Sequence, residues 1–165
     1  MPLDFVKETD ELQSFALRFV LSPTQWAEFN CPAILAWHRV KFEPPNSSHV
    51  PETTGIYAFV VEHPDSQFPP HGYVMYIGIT RSDGGGTLRK RFSNYIGEKR
   101  GLKRPKLHYM LNKWSSQLYF HYAEMADTEC DILDLERRFC DALLPPFNQN
   151  DFSAKIRKQV RAFRD

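Results

Sequence analysis

Two apolar runs, GIYAFVVEH at 55–63 and YVMYIGIT at 73–80, constrain the fold most strongly. Both are rich in β-branched and aromatic residues, and PDSQFPPHG between them has the chemistry of a turn. They read as two buried strands of one hairpin that opens the core.

The residues C-terminal to this hairpin must cover it. After RSDGGGT, the stretch TLRKRFSNYI at 87–96 reads as a helix with Thr87 as N-cap, and a second helix is expected over 105–114. LYFHYAEM reads as a third strand, and ECDILDLERRFCDALL as a helix stopped by Pro145-Pro146. The order β-β-α-α-β-α predicts an α+β fold, a three-stranded antiparallel sheet flanked by helices. Upstream, residues 10–39 show helical spacing interrupted by Ser22-Pro23, an N-cap followed by a first-turn proline. The Pro- and Ser-rich segment 42–54 reads as a linker. The expected organisation is therefore a helical extension and linker over 1–50, a main domain over 51–152 and a basic C-terminal helix over 153–165. A chain of 165 residues, 42% hydrophobic, buries one good core and has no room for two full-sized domains.

Charge is distributed unevenly. Between Arg81 and Lys113 stand ten Lys or Arg and two acids, a local net of +8 against +1 for the whole chain. Such a run is either a solvated face or a surface that meets an anionic partner. Lys155, Arg157, Lys158, Arg161 and Arg164 form a second basic cluster, which extends that surface or is a solvated tail. Three cysteines without CxxC spacing suggest neither a disulfide framework nor a zinc site. The N-terminus has no charged segment followed by an apolar one, and no apolar run reaches membrane-spanning length. A cytoplasmic location and no membrane partner are expected.

The last helix of the main domain contains an anomaly. Ile132, Leu135, Phe139, Cys140 and Leu143 gather on one face, and Glu136 sits among them. An unpaired carboxylate there costs several kcal/mol, so Glu136 must be protonated, paired with a cation or bound to a metal. In the 87–96 helix, Leu88, Phe92 and Ile96 make an apolar stripe, with Arg91 and Tyr95 along its border. Arg91 either meets a ligand at the lip of a cleft or covers the core edge with its stem.

GIY at 55–57, YIG at 76–78, KRFSNY at 90–95, Glu136 in LDLERRF and Asn148 in PPFNQ occur in the order found in the GIY-YIG nucleases, and this part of the chain resembles that family. It is closest in motif to the nuclease domain of the bacterial excision-repair nuclease, which also ends in a Pro-Pro-aromatic-Asn stretch. The resemblance implies a DNA endonuclease that uses one magnesium ion, with manganese as a substitute, held by Glu136. Magnesium keeps several waters and takes few protein ligands, so one carboxylate suffices. The resemblance gives Arg91 the scissile phosphate, a tyrosine the role of general base and Asn148 a positioning role. Of the three tyrosines, Tyr57 is the first choice for the base, with Tyr76 and Tyr95 assisting. A free phenol has a pKa of ~10, and ionising it at neutral pH takes ~4 kcal/mol of nearby positive charge.

Each residue also has a plain structural role: the tyrosines as packed strand and helix aromatics, Asn148 as a turn residue, Gly84–Gly86 as a flexible loop. Arg89, Lys90, Lys99, Arg100, Lys103, Arg104 and Lys106 are the candidates for contact with the nucleic-acid backbone. Two departures stand out: the interval between GIY and YIG is long, and Ile79 occupies a position where some relatives carry a lysine that tunes the base. No zinc finger, homeodomain or helix-turn-helix pattern suggests sequence reading, which leaves repair and restriction types open. The alternative from another class is a catalytically idle nucleic-acid-binding module of the same fold.

Overall fold

The expected hairpin forms, within a larger sheet. The computed structural model describes residues 4–63, 68–84, 86–126 and 130–164. The elements are α1 (Phe5–Gln13), α2 (Pro23–Glu28), β1 (His38–Lys41), β2 (Gly55–Glu62), β3 (Gly72–Thr80), α3 (Leu88–Glu98), α4 (Pro105–Lys113), β4 (Leu118–Glu124), α5 (Ile132–Leu143) and α6 (Ala154–Arg164). Part of the expected turn, residues 64–67, together with Gly85 of the glycine run and Glu129 of the expected last helix, lies outside the described residues.

The fold is α+β, as expected, but the sheet has four antiparallel strands and not three, in the order β1-β4-β2-β3. The additional strand comes from the extension expected to be helical: β1 lines the edge of β4, with Arg39 opposite His121 and Val40 opposite Phe120. Four residues are too few to display a period of either kind. The unpaired edge of β4, invisible in local sequence, is what makes this segment a strand.

Side-chain alternation along β2 divides the core in two. Tyr57 and Phe59 face α3 and α4, where they meet Phe92, Tyr95 and Met110, alongside Phe120 of β4. Ile56, Ala58 and Val60 face the opposite way, toward Leu135 and Cys140 of α5 and Ile156 of α6. A bulge interrupts the hairpin ladder: Phe59 pairs with Tyr76 and Val60 with Val74, leaving Met75 without a partner of its own. Met75 and Tyr76, adjacent in sequence, therefore both pack toward α3.

The helices start and stop where their chemistry dictates. Thr87 caps α3, accepting from the Lys90 amide at 3.2 Å, and Asp131 caps α5, accepting from the amides of Leu133 and Asp134. After α5 the chain turns at Leu144, whose φ of 48° is left-handed, before Pro145 and Pro146. Arg164 of α6 fixes this turn by donating to the carbonyls of Leu144 at 2.8 Å, Pro145 at 3.0 Å and Asn148 at 2.9 Å. It is thereby occupied with backbone, apart from the rest of the C-terminal basic cluster. Among the described residues no helix is long and apolar enough to cross a membrane.

Candidate active site

Three tyrosines from three elements converge between the sheet and α3. Tyr57 of β2 and Tyr95 of α3 are hydrogen-bonded through their hydroxyls at 2.9 Å, and the Tyr76 ring of β3 lies 6.5 Å from the Tyr57 ring and 6.2 Å from the Tyr95 ring. Tyr95 is 1% exposed, so it belongs to the core of α3 and not to the border of its stripe, while Ile96 is only half-buried. The reason is tertiary: Phe59 and Tyr57 offer Tyr95 a ring contact at 4.9 Å and a hydroxyl partner, which satisfies both its apolar body and its polar tip.

The tyrosines differ in access. Tyr57 is 2% exposed, and its burial, reinforced by Tyr95 and Tyr76, pushes the phenol well above its usual pKa against the opposing pull of Arg91. Tyr76 lines a cleft of about 440 Å³ with Arg104, Lys106, Phe147 and Asp151, and Tyr95 lines a second of about 480 Å³ with Arg91, Glu98, Lys103 and Arg104. Tyr57 lines neither. Arg104 is common to both clefts, held 3.4 Å from Glu98 Oε1 with its guanidinium 5.1 Å from the Tyr95 ring centre.

Glu136 stands on α5, half-buried, without an ion pair or hydrogen bond to any described residue. Burial raises its pKa from 4.5 to about 7, the Asp151 charge adds to this, and Arg91 offsets it. The buried ion pair that would have made this carboxylate ordinary is thus absent among the described residues. Arg91 is exposed at the start of α3, and its side chain likewise makes no hydrogen bond or ion pair to a described residue. Two neighbouring carboxylates, and an arginine that lowers the Glu136 pKa without forming an ion pair with it, leave room for a positive ligand. Among the described residues no group of three or more His, Cys, Asp or Glu gathers into a metal cage. Glu136 with Asp151 nearby suits a hard cation bound by one or two carboxylates and water.

Asn148 is fully buried and does more than a turn residue. Its Oδ1 accepts from the Ile77 amide at 2.8 Å and its Nδ2 donates to the Ile77 carbonyl at 2.9 Å, capping the open edge of β3 next to Tyr76. The same Nδ2 donates to Asp151 Oδ2 at 2.7 Å, which aims this carboxylate into the Tyr76 cleft. Sequence reasoning missed Asp151, because a single acid in FNQND has no periodicity to mark it. Its position three residues past the motif asparagine was the one available signal.

The basic candidates separate by commitment. Arg89 turns away from the clefts, donating to Val50 O at 2.7 Å and Ser48 O at 3.3 Å and pairing with Glu52, so it ties the linker to α3. Lys99 is half-buried, 5.9 Å from the centre of the Phe42 ring. Lys90 and Arg100 are exposed and line neither cleft, whereas Lys103, Arg104 and Lys106 do line them. The chain matches no family model, no curated protein and no solved structure.

Proposed function

We propose that the protein is a divalent-metal-dependent DNA endonuclease that hydrolyses phosphodiester bonds at the junction of the two clefts. The observation that carries this reading is the half-buried Glu136, without a partner among the described residues, whose charge acts on the cleft-lining Tyr76 and is offset by Arg91. An unpaired carboxylate, an unpaired guanidinium and a phenol suit a metal-assisted attack of water on a phosphate. The resemblance in motif order supports the same choice.

In this scheme Arg91 grips the phosphate oxygens with its planar fork and stabilises the charge that develops on them. A bound magnesium ion would supply Lewis-acid stabilisation of that phosphate, with Glu136 as its ligand and Asp151 beside it. Tyr76, as the phenolate, takes the proton of the attacking water as the water oxygen bonds to phosphorus, and the bond from phosphorus to the leaving sugar oxygen breaks, that oxygen taking a proton from solvent water. Tyr76 replaces Tyr57 as the base because it reaches a cleft, while Tyr57 supports Tyr95 from below. Burial, Tyr95, Asp151 and Glu136 all raise the Tyr76 pKa, so positive charge has to offset them. Ile79 supplies none; Arg104, held against the Tyr95 ring, takes the place of that missing lysine.

Incubation of the purified protein with supercoiled, linear and branched DNA, with and without magnesium, tests the proposal. Magnesium-dependent cleavage of at least one form is expected. Binding without cleavage of any form would favour the idle module.

A further inference from the structure

A third cleft, of about 220 Å³, lies beside the Tyr76 cleft and shares Lys106, Gln149 and Asn150 with it. Arg161 and Arg164 of α6 both line it, together with Asn148 and Val160. Its chemistry differs from that of its neighbour. The Tyr76 cleft contains Asp151, whereas among the described residues no acid lines this one. Lys106 and Arg161 are both exposed, and their side chains form no hydrogen bond or ion pair with any described residue, unlike Arg164, whose guanidinium is occupied by three carbonyls. Two adjacent exposed amides, Gln149 and Asn150, stand in the same wall, and the segment that presents them is held between the clamped side chains of Asn148 and Asp151.

Building on the nuclease reading, we infer that this cleft binds the DNA backbone flanking the scissile phosphate, with Lys106 and Arg161 neutralising phosphates and Gln149 and Asn150 donating hydrogen bonds to them. Cations without internal partners, amide donors and no acid make a surface for an anion. The shared wall makes that anion part of the strand that crosses Tyr76. The assignment extends the DNA path from the α3 side of the site to α6 and gives the C-terminal helix a binding role. It also sorts the C-terminal basic cluster, with Arg161 on the DNA and Arg164 on the protein's own backbone.

The two kinds of contact leave different signatures. Each phosphate neutralised by a cation adds about −0.9 to the slope of log affinity against log salt, while a neutral donor adds affinity without changing the slope. Duplex DNA is titrated by fluorescence anisotropy at several salt concentrations with the full chain. The K106Q/R161Q variant should flatten the slope by about 2, and Q149A/N150A should weaken binding roughly tenfold at an unchanged slope. Lys155, exposed on α6 and outside the cleft, supplies the control K155Q, which should leave the slope unaltered. Unfolding midpoints verify that each variant is folded. A wild-type slope retained by K106Q/R161Q, or equal flattening by K155Q, overturns the assigned path while leaving the nuclease reading intact. Failure of the wild-type protein to bind duplex DNA at any salt concentration overturns both.

Discussion

The Tyr57 ring lies across Gly78 so closely that a Cβ on the glycine would fall 2.3 Å from the phenol oxygen and 2.5 Å from the ring carbon bearing it. The two tripeptides are thus halves of one contact, since Tyr57 and Gly78 are opposite one another in the β2–β3 ladder. The glycine is needed for space. Gly78→Ala should push the ring away from Tyr95, lose the hydroxyl pair and cost ~1 to 3 kcal/mol of stability. Urea unfolding reads the loss, which should shrink when Tyr57→Ala is present in the same chain. An unchanged midpoint for the single variant would contradict the contact.

Arg89 and Arg91, two residues apart on α3, have opposite commitments. Arg89→Ala removes bonds to Val50, Ser48 and Glu52 and should lower stability by ~1 to 3 kcal/mol. Arg91→Ala should leave stability within ~0.5 kcal/mol yet slow cleavage ~100- to 1000-fold, and Arg91→Lys should rescue poorly because a point charge cannot reproduce the fork. Unfolding curves and single-turnover rates on the same preparations separate the two arginines.

Access distinguishes the tyrosines. If Tyr76 takes the proton, Tyr76→Phe should reduce the single-turnover rate more than Tyr57→Phe does, although Tyr57 is the more deeply buried of the two. The reverse order would return the base role to Tyr57.

Glu136 makes stability depend on pH in the metal-free protein. Its pKa in the folded state, about 7, lies above the ordinary 4.5, so between these values the native chain holds a proton that the unfolded chain has released. The corresponding stabilisation is fully present below about pH 4.5 and lost as pH rises through about 7, a change on the order of 3 kcal/mol. Glu136→Gln should remove this dependence and be more stable than wild type at pH 8. Urea unfolding in a chelator between pH 5 and 8 checks it; parallel profiles for the two proteins would contradict the raised pKa.

The parts of this fold legible in sequence are those that local chemistry decides. The strands β2, β3 and β4 come from their β-branched and aromatic runs, α3 from Thr87, and the stop after α5 from Pro145-Pro146. Glu136 is visible because one acid on an apolar face breaks a strong period. The hidden parts depend on distant partners. β1 exists because β4 has an open edge, and Tyr95 is buried because Tyr57 supplies a hydroxyl. Arg89 is spent on residues some forty positions upstream in the chain. Arg104 and Asp151 reach the clefts through a loop conformation and a hydrogen bond from Asn148, neither of which has a periodic signature.

The most direct measurement is the single-turnover cleavage rate of wild type and Glu136→Gln on the best DNA substrate, as a function of magnesium concentration. Wild type should cleave only with magnesium, and the variant, folded and more stable at pH 8, should be slower by ~1000-fold or more. A near wild-type rate for the variant, or wild-type cleavage that persists in a chelator, would contradict a metal-dependent site at Glu136.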